Sequence, residues 1–335
     1  MKETMEQSDI ANLEVNQEPV MQLMWRLMDR SPASCANAKL KGCFLTRGAA
    51  DVCGKGLQHF IQMLFECQGQ PQRLWQSMSQ CPSFSASDFN LLLSSCLDNT
   101  NTSSETISGP LTSADLKQWR EQGYVVVKNI IPRDTSLTIA ERLMNINRTS
   151  LQTPDSWHRA YGGPFFRQEY DIPELDVARQ SIKARQAFQQ VWQREHLITT
   201  RDTYSLNFPE TARHYFQGTK LHLDVDFHLP LHFKTQGIVY LNDVAAEQGA
   251  LTLCTGFHLQ YAQWLSSLPK AFNPNDSDFT QFKPKPIAAE AGDLIIWHHW
   301  LPHGASPNHH HLPRVAQYLD MYSLTPSRLA PDEAF

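Results

Sequence analysis

The chain has 335 residues, of which 41% are hydrophobic and 19% are charged, and its formal net charge is −5. This balance is typical of a folded protein with one large domain, or with one domain and a smaller appendage. There is no basic run to indicate a nucleic-acid surface, no apolar stretch long enough to span a membrane and no signal-peptide pattern. We therefore predict a cytoplasmic protein without a nucleic-acid or membrane partner.

The first hundred residues predict a helical region. Apolar residues recur there at three- and four-residue intervals, a spacing typical of helix faces that join a core. The three stripes lie in 21–28, 57–65 and 89–96. We predict that residues 1–97 form a small helical module, and protein–protein contact is the role we assign to it as a hypothesis.

Six of the seven cysteines lie within this N-terminal region. An even number of cysteines is compatible with disulfides or with a zinc site. The sequence has no C-x-x-C pair and no signal peptide, so neither alternative has its usual support. Reduced, mostly packed thiols are the favoured interpretation.

A linker and a new domain follow. Residues 98–110 are dominated by Asn, Ser and Thr, which is typical of a linker. Thr112 and Asp115 fit a capping box, so a helix is predicted to start there and to end at Gly123. The β-branched run Tyr124–Val127 predicts a strand, and a second helix is expected to begin at 134 or 136.

Short strands are predicted from about residue 200 onward. They lie in the segments 203–208, 220–225, 237–241, 250–254 and 293–299, and Pro, Gly and Asn separate them. Many short strands without alternating helices favour an antiparallel barrel or a double-sheet roll over a βαβ fold. We predict a mainly β domain with flanking helices over 111–335.

One segment, 221–229, alternates strictly between apolar residues and residues that can bind metals. On a strand, its polar residues would share one face, and these are His222, Asp224, Asp226 and His228. Unpaired carboxylates are costly to bury, and a divalent cation would offset that cost. A polar strand edge is the alternative interpretation of this segment.

A histidine and an arginine further along the chain strengthen the metal hypothesis. His303 follows a predicted strand, in a turn at 302–304, and Arg314 begins the next strand. Two imidazoles and one carboxylate can hold ferrous iron on one face and leave the opposite coordination positions open. An arginine can bind the far carboxylate of a chelating 2-oxo acid. A surface salt bridge is the alternative role for Arg314.

Residues 111–325 resemble the phytanoyl-CoA dioxygenase-like (PhyH) family of Fe(II)- and 2-oxoglutarate-dependent oxygenases. The resemblance rests on WREQGYVVVKNIIP, on QGIVYLNDVAAEQGALTLCTGFH and on PIAAEAGDLIIWHHWLPHGASPN followed by Arg314. These motifs occur in the family's order and at similar separations. The resemblance implies a double-stranded β-helix (jelly roll, cupin-like) core behind the helical N-terminal region.

The resemblance also implies roles for individual residues. His222, Asp224 and His303 match the iron ligands, and Arg314 matches the arginine that binds 2-oxoglutarate. The family's helper serine falls on Ala305 here, so the next residue, Ser306, is the candidate for that role. The implied reaction uses Fe(II), 2-oxoglutarate and O2 to hydroxylate or otherwise oxidise a small molecule, with succinate and CO2 as co-products. Halogenation is disfavoured because the carboxylate ligand is retained.

Further candidates come from the strands around these motifs. Gln236 is predicted to contact 2-oxoglutarate or the substrate. The strand before the H-x-D motif offers pocket-lining candidates, which are Arg201, Asp202, Tyr204 and Asn207. Two adjacent histidines, His298 and His299, are expected to point to opposite faces of their strand and to be structural. The flanking Trp297 and Trp300 suit either an apolar wall or substrate recognition.

Two other functions stay open at this point. The domain could be a non-catalytic jelly-roll binding or regulatory protein, although intact ligands and Arg314 argue against this. It could also be a cupin-type iron enzyme that does not use 2-oxoglutarate, which would leave Arg314 without a role.

Overall fold

The computed structural model describes residues 17–28, 36–96, 107–158, 166–167, 172–216, 218 and 220–324. The chain divides into two compact units, residues 1–102 with 324–326 and residues 103–323 with 327–335. Most of the predicted linker, 98–106, lies outside the described residues. The two units are therefore described separately.

The described part of the first unit consists of helices. They are α1 (Gln17–Met28), α2 (Ala36–Val52), α3 (Leu57–Glu66), α4 (Pro71–Ser79) and α5 (Ala86–Cys96). Leu23, Met24 and Leu27 of α1 are buried, and they pack in a unit whose core also includes Phe89 of α5. Trp25, which lies within the predicted apolar stripe at 21–28, is 60% exposed.

The apolar stripe predicted on α3 is only half buried. Phe60 and Leu64 lie in the core, whereas Leu57, Ile61 and Phe65 are exposed. The two groups are separated by about 100° around the helix, because 3.6 residues complete one turn. The sequence correctly predicted an amphipathic helix here but made its buried face too wide.

The cysteines that the structure describes are free thiols, namely Cys43, Cys53, Cys67, Cys81 and Cys254. Hydrogen bonding to Cys81, together with burial, raises the pKa of the Cys53 thiol well above its ordinary value. Cys53 is therefore protonated at neutral pH. The prediction of reduced, mostly packed thiols agrees with four of these residues, whereas Cys43 is exposed. Cys35 and the side chain of Cys96 lie outside the described part of the chain.

The second unit mixes helices with sheets. Its helices are α6 (Ser113–Gln122), α7 (Arg133–Ile146), α8 (Pro154–Trp157), α9 (Asp176–Arg179), α10 (Ile182–Trp192) and α11 (Tyr261–Ser267). Short 3-10 helices cover Pro173–Leu175, Phe257–Leu259, Pro274–Asp276 and Phe279–Phe282. No helix among the described residues is long and apolar enough to cross a bilayer.

The capping box predicted for α6 is present. The Thr112 hydroxyl accepts a hydrogen bond from the Asp115 backbone N–H, and the Asp115 carboxylate accepts one from the Thr112 N–H. Gly123 ends the helix in the left-handed conformation, at φ 76°, which glycine adopts without steric cost. These local signals explain why both ends of α6 were predictable.

The strands of this unit are β1 (Tyr124–Val127), β2 (Phe166–Arg167), β3 (Ile198–Thr199), β4 (Tyr204–Asn207), β5 (Thr235–Tyr240), β6 (Leu251–Leu253), β7 (Lys285–Ile287), β8 (Leu294–His298), β9 (His303–Ala305), β10 (Arg314–Tyr318) and β11 (Met321–Tyr322). They form a six-stranded sheet in the order β1-β8-β5-β10-β4-β2, a three-stranded sheet β7-β6-β9 and the pair β11-β3. Neighbouring strands are antiparallel.

One hydrophobic cluster joins the two larger sheets. Ile238 and Ile295 enter it from the six-stranded sheet, and Leu251 and Leu253 enter it from the three-stranded sheet. The aromatic ring of Phe257, which is 1% exposed, fills the same cluster. Because the sheets share this core, their inner faces oppose each other, and polar residues on those faces are brought towards one another.

Candidate metal centre

His222 is joined by its backbone to the first residue of β9. The His222 N–H donates to the His303 carbonyl and the His303 N–H donates to the His222 carbonyl, both at 2.9 Å. This antiparallel bridge adds His222 to the free edge of the three-stranded sheet. Two residues that are 81 positions apart are thereby fixed side by side.

Asp224 completes a three-residue cluster with these histidines. Its Oδ1 lies 3.4 Å from His222 Nε2, and its Oδ2 lies 3.3 Å from His303 Nε2. One potential ligand atom from each residue lies within 4.8 Å of the others. The side chain of His303 is 7% exposed and that of Asp224 is 54% exposed, so the cluster is rooted in the core and opens to solvent.

Both imidazoles are oriented by main-chain carbonyl groups. His222 Nδ1 lies 2.9 Å from the Lys220 carbonyl oxygen, and His303 Nδ1 lies 3.0 Å from that of Leu301. A carbonyl oxygen only accepts hydrogen bonds, so each Nδ1 carries the proton and donates. Each Nε2 therefore faces the Asp224 carboxylate at the centre of the cluster, and it is the nitrogen that would bind a metal.

The cluster is electrostatically coupled. Burial would raise the pKa of Asp224, but hydrogen bonds from His222 and His303 outweigh it and hold that pKa well below its usual range. The same contact with Asp224 raises the pKa of His222. Asp224 is therefore ionised at neutral pH and can balance positive charge at this position.

The strand predicted around these residues is wrong. After the bridge at His222, the chain leaves the sheet and turns at Asp226, whose carboxylate accepts the His228 N–H while its carbonyl accepts the Leu229 N–H. Asp side chains favour such turns, and Pro230 prevents a ladder hydrogen bond. The exposed Asp226 and His228 are accordingly outside the metal cluster.

The residue between the two H-x-D side chains is anchored by Asn275. The Leu223 N–H donates to Asn275 Oδ1 at 2.8 Å, and Asn275 Nδ2 donates to the Leu223 carbonyl at 3.0 Å. The Leu223 side chain is 2% exposed and belongs to the hydrophobic cluster. Sequence reasoning missed Asn275, which lies in a 3-10 turn 52 residues away and belongs to no recognisable motif.

Gln236 contacts the carboxylate of the cluster. Its Nε2 donates to Asp224 Oδ2 at 2.8 Å, and its Oε1 accepts from Trp297 Nε1 at 3.0 Å. The sequence predicted Gln236 as a residue of the site but expected it to reach 2-oxoglutarate or substrate. The structure shows its amide beside a potential metal ligand, and contact with 2-oxoglutarate or substrate stays a prediction.

Arg314 is the first residue of β10 and is 1% exposed. Its Nη1 donates to the Gly249 carbonyl at 2.9 Å and its Nη2 to Ser205 Oγ at 3.2 Å. Gly249 has φ +65°, and a Cβ there would lie 2.0 Å from Asn207 Nδ2, so only glycine suits this position. The surface salt bridge considered for Arg314 is contradicted by its burial.

Tyr318 lies on the same strand as Arg314. Burial raises the pKa of Tyr318, and the charge of Asp224 adds to this effect, while Arg314 and a hydrogen bond with Ser205 oppose it. Tyr318 and Arg314 share one face of β10 because they are four residues apart on a strand. This face of β10 also carries Ala316, which belongs to the hydrophobic cluster.

The two remaining candidates near Arg314 hold backbone groups. Ser306 Oγ donates to the Ala250 carbonyl at 3.1 Å, and Asn207 Nδ2 donates to the Ser306 carbonyl at 3.0 Å. Both lie beside the Gly249 turn that Arg314 contacts. Contact of Ser306 with 2-oxoglutarate stays a prediction.

The strand before the H-x-D motif contributes differently from what the sequence predicted. Ser205 and Asn207 face the site, whereas Tyr204 lies on the opposite face and accepts a hydrogen bond from Asn147. Arg201 binds Asp176 at 2.6 Å. The alternation of a strand could have identified Ser205, because Tyr204 and Asn207 must lie on opposite faces and Ser205 shares the face of Asn207.

Adjacent Asp202 lies before β4, and its carbonyl accepts a hydrogen bond from Arg179. Like Arg201, it is engaged by the helical layer. Neither residue belongs to the three-residue cluster.

His298 and His299 are buried, as expected of structural histidines. Their rings stack at 5.3 Å and 15°, so the prediction that they point to opposite faces is wrong. The reason is that β8 ends at His298 and the chain turns there. Trp300 stacks on Tyr261 in the core, and Trp297 packs 5.4 Å from the His303 ring.

The donor set of the cluster fits a divalent transition metal. Two imidazole nitrogens and one carboxylate suit iron(II) and leave coordination positions free for other ligands. The cluster also has an anionic member and two imidazoles whose Nδ1 atoms are held by main-chain carbonyl groups. Among the described residues, no second group of three or more such side chains could hold a metal ion.

The family assignment follows from comparison with known proteins. A family model for phytanoyl-CoA dioxygenase (PhyH) matches residues 119–316, which is more than half of the chain, and the chain belongs to this family. A curated Dictyostelium discoideum protein, "Putative phytanoyl-CoA dioxygenase", is 28% identical over 92 residues. The match spans 26% of each chain, about a quarter of that relative.

Several solved structures are similar. AviO1 of Streptomyces viridochromogenes Tue57 shares 17% identity, covers 67% of this chain and 100% of its own, and has a TM-score of 0.46. EvdO2 of Micromonospora carbonacea var. aurantiaca, complexed with 2-oxoglutarate, shares 17% identity, and the match covers 68% of this chain and 96% of EvdO2 with a TM-score of 0.43. HygX of Streptomyces hygroscopicus, with nickel and 2-oxoglutarate bound, shares 14% identity, and the match covers 63% of this chain and 87% of HygX with a TM-score of 0.41.

The family resemblance predicted from the sequence is thereby confirmed. The prediction of iron and 2-oxoglutarate as cofactors agrees with this family membership.

Proposed function

We propose that the chain is a non-haem Fe(II)- and 2-oxoglutarate-dependent dioxygenase that oxidises a small molecule. The observation that carries the proposal is the cluster of His222, Asp224 and His303, with ligand atoms within 4.8 Å of one another. Membership of the PhyH family supports it. Hydroxylation is the favoured reaction, because Asp224 supplies the carboxylate ligand that a halogenase gives up.

In this proposal, the three side chains hold the metal and are prepared for it by their neighbours. The carbonyl groups of Lys220 and Leu301 fix the Nδ1–H tautomer, so both Nε2 atoms are available as ligands. Iron(II), when bound, supplies the sites where 2-oxoglutarate and dioxygen react, with succinate and CO2 as co-products.

Arg314 is the proposed partner of the far carboxylate of 2-oxoglutarate. A buried guanidinium is a strong binder of carboxylates, since its fork of N–H donors matches their geometry. The Gly249 carbonyl and Ser205 hydroxyl hold that fork in place at 2.9 and 3.2 Å. Ser306 is retained as a candidate for assisting it.

The architecture belongs to the same proposal. The facing six-stranded and three-stranded sheets would constitute a double-stranded β-helix, with residues 111–335 as the catalytic domain. Residues 1–97 would form a separate helical module that contacts proteins. A cytoplasmic location and the absence of a nucleic-acid partner likewise stay predictions.

The test is succinate formation from 2-oxoglutarate with Fe(II), O2 and a library of small-molecule substrates. We expect substrate-dependent succinate from the native protein and none from Asp224→Ala. Calorimetry with N-oxalylglycine, a mimic of 2-oxoglutarate, separates the other candidate functions. Metal-dependent binding supports the oxygenase, whereas metal binding without affinity for the mimic would favour an iron enzyme of another kind or a binding protein.

A further inference from the structure

A hydrogen-bonded chain of three side chains leads from the six-stranded sheet to the carboxylate of the metal cluster. Gln236 of β5 lies directly opposite Trp297 of β8 in the antiparallel register, so their side chains share one face. Trp297 Nε1 donates to Gln236 Oε1 at 3.0 Å, and Gln236 Nε2 donates to Asp224 Oδ2 at 2.8 Å.

The chemistry of the two outer partners determines the orientation of the amide between them. An indole N–H can only donate a hydrogen bond, and an ionised carboxylate can only accept one. The Gln236 oxygen must therefore face Trp297, and its NH2 group must face Asp224. In the reversed orientation, the amide NH2 would face the indole N–H, and the amide oxygen would face the carboxylate oxygen.

The same tryptophan contacts the cluster a second time. The Trp297 ring packs 5.4 Å from the ring of His303 and is 2% exposed, so it is held by the core. Asp224, in contrast, lies on a loop after the His222 bridge, and its side chain is 54% exposed. Asp224 contacts His222 and His303, which are themselves candidate metal ligands. Gln236 contacts Asp224 as well but is not a candidate ligand.

From this geometry, we infer that Gln236 is a positioning residue for the metal ligand Asp224, with Trp297 fixing its amide. This inference rests on the proposed function and assigns Gln236 a role different from contact with 2-oxoglutarate. Groups that orient a ligand in this way typically change metal affinity 10- to 100-fold when they are removed.

The experiment measures the affinity for Fe(II) under anaerobic conditions, and the visible spectrum of bound Co(II), in four variants. Gln236→Met keeps the length of the side chain but removes both polar ends. Trp297→Phe keeps a ring beside His303 but removes the N–H. The double variant combines them, and Gln263→Met, on an exposed face of α11, is the matched control.

We expect Gln236→Met to bind Fe(II) about 10- to 100-fold more weakly and to change the Co(II) spectrum. Trp297→Phe should weaken binding by a smaller factor. Because Trp297 acts through Gln236, the double variant should bind Fe(II) about as weakly as Gln236→Met, apart from any effect of the altered ring packing beside His303. The two fold-changes in affinity should therefore not multiply. Gln263→Met should match the native protein.

Thermal unfolding of the metal-free proteins separates positioning from a general structural role. The inference is overturned if Gln236→Met retains native Fe(II) affinity, or if its weaker binding is fully explained by loss of the metal-free fold. It is also overturned if metal affinity is unchanged and only the affinity for 2-oxoglutarate falls. Failure of the native protein itself to bind Fe(II) would instead contradict the proposed function.

Discussion

Asn275 offers a test of how the H-x-D segment is held. Its amide makes two hydrogen bonds to the backbone of Leu223, at 2.8 and 3.0 Å. A net contribution of about 1 kcal/mol for each bond predicts that Asn275→Ala lowers the free energy of unfolding by about 2 kcal/mol. Since Leu223 separates His222 from Asp224, the affinity for Fe(II) should fall as well, by about 10- to 100-fold.

Urea denaturation of the metal-free protein and anaerobic titration with Fe(II) measure the two effects. The matched control is Asn273→Ala, because Asn273 caps the same 3-10 turn through Asn275 N–H at 3.2 Å but does not contact Leu223. If both variants lose equal stability and bind Fe(II) with native affinity, then Asn275 does not anchor the segment.

The remaining predictions concern a buried histidine, the start of α6 and Arg314. Burial lowers the pKa of His258 to about 4 from 6.5, so the unfolded chain binds the extra proton first and stability falls as the pH drops from about 6.5 towards 4. This loss of stability amounts to about 2 kcal/mol at about pH 5. His258→Gln should remove it, and urea denaturation at pH 5 and pH 8 measures the difference. If the native protein and the variant lose equal stability between these two pH values, the prediction is contradicted. Thr112→Ala removes the capping box of α6 and should lower the free energy of unfolding by about 1 kcal/mol, whereas an unchanged urea midpoint would show that the cap is dispensable. Arg314→Met should weaken binding of N-oxalylglycine to the metal-loaded protein by about 10- to 100-fold in calorimetry while Fe(II) affinity stays native, because a charged hydrogen bond contributes about 1.5–3 kcal/mol; native affinity for the mimic would exclude Arg314 from the carboxylate site.

Structural features that depend on a few consecutive residues were predictable from the sequence. The capping box at Thr112, the glycine at 123 and the β-branched run after it fixed α6 and β1 almost to the residue. The types and order of His222, Asp224 and His303 also sufficed to select one candidate metal site, because few side-chain combinations suit iron.

Features that depend on tertiary contacts were not predictable. The alternation in 221–229 predicted a strand, but the carboxylate of Asp226 and the ring of Pro230 favour a turn over a ladder. His303 was placed in a turn, yet it begins β9, because its backbone pairs with His222 and with Leu253 of β6. Asn275 and Ser205 make their contacts across the fold, and no periodicity or local motif marks such contacts.

The most direct test of the central claim is a crystal structure of the protein grown anaerobically with Fe(II) and 2-oxoglutarate. We predict an iron anomalous peak bound by His222 Nε2, His303 Nε2 and one oxygen of Asp224, with the far carboxylate of 2-oxoglutarate on Arg314. An iron bound elsewhere, or a metal that Asp224 does not contact, would contradict the account.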